Sequence, residues 1–140
     1  MSISNCFRIL QVNLKIKLLE LSNGDNCLVV IAGGSVDAEG FKEIFREVAK
    51  CGRMRPKSKV LIDLEDARLV VEPWDIRVIV NGLGFDLPSF DMKIALVSSA
   101  EATDAEWLRA MSASLVRMGL TAAVFDDAKE AATWMSDRLS

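Results

Sequence analysis

The chain has 140 residues and a mass of 15.4 kDa, enough for one hydrophobic core and short for two, so a single domain over 1–140 is expected. Hydrophobic residues make up 51% and charged residues 26%, which excludes a disordered or low-complexity chain, and a net charge of −3 lacks the basic surplus of a nucleic-acid binder. There is no histidine, so Ser-His-Asp, Cys-His and His-zinc chemistry are excluded within this chain.

Cys6, Cys27 and Cys51 are odd in number and form no CxxC pair, which fits buried thiols in a reducing compartment. The first ten residues lack a basic segment followed by an apolar one, and no apolar run approaches the ~20 residues that cross a bilayer. A cytoplasmic protein with no transmembrane segment is the expectation.

Leu10, Val12, Leu14, Ile16 and Leu18 alternate with Gln11, Asn13, Lys15 and Lys17, the period of a half-buried strand whose lysines suit a sheet edge. The turn formers Ser22 to Asn26 lead into the apolar run Cys27 to Ile31, and the two strands read as an antiparallel hairpin. After Gly33-Gly34, read as a tight turn, Phe41, Ile44, Phe45, Val48 and Ala49 fall at helical spacing behind an N-cap at Ser35 or Asp37. Lys59 to Leu64 is the next strand. Pro73 opens a short apolar helix carrying Ile76, Ile79, Val80 and Leu83, widened by Trp74 and Val78.

Lys93 to Val97 is a fourth strand, and Thr103 to Glu106 reads as a capping box opening a helix with Trp107, Met111, Leu115 and Met118 inward. Ala122 to Phe125 makes a fifth strand, and Asp127 caps a last helix with Ala131, Ala132, Met135 and Leu139 inward. The order ββαβαβαβα predicts an α/β fold: a mixed, mostly parallel sheet of about five strands with helical cover.

The runs Val29 to Gly34, Val60 to Leu64, Met92 to Val97 and Val124 to Met135, the last a strand ending in Phe-Asp before an acidic helix start and a Trp-Met step, resemble the SpoIIAA-like branch of the STAS superfamily over nearly the whole chain. The resemblance implies a small bacterial protein shaped like the anti-sigma factor antagonists and the lipid-binding domain of CRAL-TRIO proteins. In the phosphorylated antagonists the loop after the third strand carries a regulatory serine. The matching stretch here, Asp63 to Pro73, contains no Ser, Thr or Tyr, so the phosphoserine switch does not carry over.

Three functional readings follow, and the first is preferred. It is a non-enzymatic regulatory or scaffolding module with no cofactor, binding a protein partner or a second copy as a homodimer, as the resemblance implies. The second is a binder of a small apolar or lipid-like molecule in a groove beside helix 74–83, lined by Trp74, Val78, Ile79, Leu83, Phe85 and Phe90; the same surface would serve the first reading as its partner contact. The third is a Mg²⁺-dependent enzyme using Asp63, Glu65 and Asp66 at the carboxyl end of a parallel strand. It ranks last, because no nucleophile with an adjacent base is recognisable and solvated loop acids explain the cluster. Likewise, the Gly33-Gly34-Ser35 turn lacks a phosphate-binding signature, and the basic run from Lys50 to Lys59 has no interleaved aromatics for single-stranded nucleic acid.

Overall fold

In the computed structural model, the described residues are 12–21, 24, 26–54, 59–86, 92–98 and 102–136. They form β1 (Val12–Glu20), β2 (Asn26–Val36), α1 (Ala38–Met54), β3 (Lys59–Leu64), β4 (Ala67–Leu69), α2 (Asp75–Asp86), β5 (Lys93–Ser98), α3 (Ala102–Arg117), β6 (Thr121–Phe125) and α4 (Ala128–Ser136). The sheet order is β1-β2-β3-β5-β6, with β4 paired to β2. The β1–β2 hairpin is antiparallel, and the other pairings are parallel.

Strand alternation divides the sheet into two unequal faces. Val30, Ile62, Ile94 and Leu96 point to the larger core, which α1, α2 and α3 complete with Phe41, Phe45, Ile79, Leu108 and Met111. Val29, Leu61, Ala95 and Val97 point to the smaller core, closed by Ala131 and Met135 of α4. The α1 stripe foreseen from spacing is fully realised: Phe41, Ile44, Phe45 and Val48 are 0% exposed.

Three local features differ from the sequence reading, and a fourth settles an alternative it left open. β2 runs on through Gly33-Gly34-Ser35 to Val36, so these residues are paired strand and not a turn, with Gly34 accommodating a φ of 76° that a side chain would resist. Of the two N-cap candidates for α1, Ser35 and Asp37, the cap is Asp37, whose Oδ1 accepts the Gly40 amide at 2.8 Å. α3 already includes Thr103 to Glu106, which places that stretch inside its first turns; the residues just before Ala102 lie outside the described ones. β4 is the sixth strand. Along this edge β2 advances from Ile31 to Gly34 while its partner advances from Asp63 to Ala67, one residue more, so Glu65-Asp66 is pushed out as a bulge.

The β1 alternation is present, but its burial is shallow. Leu14 packs against the larger core, whereas Ile16 and Leu18 are 47% and 60% exposed, because β1 is an edge strand and the three helices gather over the sheet's centre. Leu139, Cys6 and Phe90 lie outside the described residues, as does the side chain of Cys51. Cys27 is buried, its Sγ–H donating to the Leu28 carbonyl at 3.5 Å.

Candidate functional site

A groove of about 900 Å³ opens between α2 and α3. It follows from residue size. On α3, Ala110, Ala113 and Ser114 stand at helical spacing and fill little volume, so the two helices are in contact but leave a channel above their joint core. The α2 wall is Pro73, Trp74, Ile76, Arg77, Val80 and Asn81, and Arg117 and Met118 complete the α3 wall.

The start of α2 is held firmly. The Asp75 carboxylate accepts the Glu72 amide at 2.8 Å while the Asp75 amide donates to the Glu72 carbonyl at 3.0 Å, a reciprocal cap around Pro73. That same Glu72 carbonyl accepts the Trp107 Nε1–H at 2.9 Å, and the Trp107 ring packs against Phe41 at 4.9 Å between centroids. Trp107 therefore ties α3 to the entry of α2 and to α1. Trp74 stands beside this anchor with 68% of its surface exposed.

The groove residues foreseen from sequence separate in the structure. Trp74 lines the groove. Ile79 lies beneath it, 1% exposed in the core, and Val78 is half exposed on α2 outside the described lining. Leu83 and Phe85 belong to α2 but their side chains, like all of Phe90, are outside the described residues. Sequence reading missed Arg77, Arg117 and the small residues of α3. The small-residue spacing was visible, but its pairing with α2 was not.

Asp63, Glu65 and Asp66 sit where β3 gives way to the bulge. Asp63 Oδ1 accepts the Glu65 amide at 3.0 Å, an Asx turn that stabilises the bend itself. Partial desolvation, and then the charges of Asp63, Asp66 and Asp127, push the Glu65 pKa above its ordinary value. Among the described residues, no three His, Cys, Asp or Glu side chains are grouped to hold a metal ion. The cluster is a mutually repelling, solvated one. Of the basic run, Lys50 pairs with Glu47 at 3.2 Å, Arg53 has an undescribed side chain, and 55–58 lie outside the described residues.

Comparison with known proteins gives the fold a family likeness. No family model and no curated protein matches the chain. Among solved structures, the chain is similar to an uncharacterised protein of the DUF3478 family with a SpoIIAA-like fold from Shewanella loihica PV-4, at 16% identity and a TM-score of 0.54, over 89% of this chain and 93% of that one. The fold is SpoIIAA-like. No helix among the described residues is long and apolar enough to cross a membrane.

Proposed function

We propose that the chain is a non-enzymatic regulatory or scaffolding module that binds a protein partner through the α2–α3 face. The observation that carries this reading is Trp74, two-thirds exposed at the rim of a preformed groove. A tryptophan left in water forgoes a large burial energy, and Trp and Arg are the side chains most enriched among residues that dominate interface energies. At the acidic bulge, the Asp63 carboxylate braces the turn by accepting the Glu65 amide, a structural role that accounts for its place there.

A benzophenone-bearing phenylalanine at position 74, which keeps a large aromatic side chain where Trp74 stands, compared with the same residue at the exposed Thr133 on α4, tests this in cells that make the chain. Adducts of discrete mass from position 74 and not from 133 are expected. Equal labelling at both positions, or none at 74, overturns the reading.

A second reading draws on groove volume, which falls within the ~300–1,000 Å³ of small-molecule sites. On that reading the occupant is an apolar or lipid-like molecule. Native mass spectrometry decides between them: a retained mass of a few hundred daltons, lost on denaturation, favours the ligand, and the same spectrum reports whether the chain pairs with itself.

A further inference from the structure

The partner's chemistry is written in the charge of the groove, an inference that rests on the α2–α3 face being the partner surface. Arg77 and Arg117 line it, one on each helix, and no Asp or Glu is among its described lining residues, although the whole chain carries 20 acidic against 17 basic side chains. The nearby Asp75 carboxylate is turned back onto the Glu72 amide. Arg117 Nη2 donates to Ser114 Oγ at 3.0 Å, which holds that guanidinium along the α3 wall. Trp74, Val80 and Met118 line the same groove.

The geometry points to an acidic amphipathic segment of a partner protein as the occupant, its apolar side chains against Trp74, Val80 and Met118 and its carboxylates on Arg77 and Arg117. Guanidinium pairs bidentately with carboxylate, and two arginines on opposite walls fix such a segment at two points. A basic segment would meet like charge at both. A concave channel between two helices admits a peptide segment more readily than a flat bilayer surface, and an apolar side chain in a charged rim is the usual form of helix-in-groove recognition.

The test uses the full chain and three short synthetic peptides: one with Leu and Glu at helical spacing, the same peptide with Lys in place of Glu, and a scrambled Leu/Glu isomer. Fluorescence anisotropy is expected to show saturable binding of the Leu/Glu peptide, with the Lys and scrambled forms weaker by roughly tenfold or more. Arg77→Glu should remove the preference for Glu over Lys, whereas Lys129→Glu, an identical charge change on the helix that covers the opposite sheet face, should keep it. The proposal is overturned if the Leu/Glu peptide shows no saturable binding, if the Glu and Lys peptides bind alike, or if Arg77→Glu and Lys129→Glu act equally. Binding to anionic vesicles that Arg77→Glu abolishes, without peptide binding, assigns the arginines to a membrane instead. Crosslinking at position 74 does not depend on charge, so a charge-indifferent peptide result with a positive crosslink rejects the acidic partner and leaves the partner surface standing.

Discussion

The ammonium of Lys93 donates to the main-chain carbonyl of Trp134 at 2.6 Å while lying 4.4 Å from the centroid of that residue's own ring. Lys93 opens β5 and Trp134 lies in the last turn of α4, so one buried cation meets both the negative end of a helix and an aromatic face. Phe125 of β6 also packs against the indole, at 5.3 Å between centroids, and the three side chains fasten the sheet's thinner cover. α4 supplies few apolar residues to its core, which makes this polar fastening matter.

Lys93→Met keeps the length of the side chain but leaves the Trp134 carbonyl without this donor. Loss of a charge-assisted hydrogen bond and a cation–π contact should cost about 2–3 kcal/mol, read as a fall in the urea midpoint with unchanged slope. A variant as stable as the parent would mean that the contact is offset by the desolvation of the ammonium.

Trp107→Phe separates packing from hydrogen bonding at the entry of α2. The aromatic contact with Phe41 is kept in kind, and the Nε1 donor to the Glu72 carbonyl is removed. Stability should drop by about 1–2 kcal/mol, and the amides of the first turn of α2 should exchange faster with solvent. Hydrogen exchange that accelerates no more in α2 than in α4 would show that Trp107 does not hold the entry of α2.

The reach of the sequence is clearest where a single periodicity meets a single neighbour. Phe41, Ile44, Phe45, Val48 and Ala49 are one helical stripe over the sheet centre, and all are buried as the spacing requires. Ile16 and Leu18 obey an equally regular alternation and are exposed, because alternation names a face and not what covers it. β4 is three residues long with no apolar run, and forms because β2 extends past β3 and offers it a partner. The groove was half legible: the apolar surplus around Trp74 could be read, but Val78 and Ile79 share its stripe in sequence and part company in space. Arg117 and the α3 alanines, more than thirty residues away, enter only through tertiary packing.

Gly119 ends α3 in a left-handed conformation, φ 102°, with the Leu120 amide on the Leu115 carbonyl at 3.1 Å and its own amide on Val116 at 2.9 Å. This is a Schellman cap, and it aims the chain into β6. Gly119→Ala should destabilise by about 1–2 kcal/mol through backbone strain alone. An equal loss with Gly119→Asn, which tolerates this region better, would argue against strain as the cause.

Glu65 predicts a pH-dependent difference with a definite sign. Its folded pKa is raised, so the folded state binds its proton more tightly than the unfolded chain does, and the charged form costs stability at neutral pH. That cost is absent below the ordinary carboxylate range and grows as pH rises through the raised value. Glu65→Gln should therefore melt slightly higher than the parent at pH 7, by a few tenths of a kcal/mol for so exposed a group, with the gap closing toward about pH 3. A gap that stays constant with pH would assign it to the amide's own contacts.

Ala113 lines the groove yet is itself exposed, so filling it separates function from folding. Leucine is a good helix former, and at an exposed position on α3 it should change stability by less than about 0.5 kcal/mol. The added isopropyl group would project into the channel lined by Trp74 and Val80, where an occupant's apolar side chain is expected to sit. Crosslinking from position 74 should then fall sharply in Ala113→Leu while the melting temperature holds. Ala113→Ser, which adds one hydroxyl oxygen, should leave the crosslink intact. If leucine and serine behave alike and the crosslink persists in both, the occupant does not enter between the helices, and the partner surface would have to lie on the outer side of α2, where Val78 is exposed.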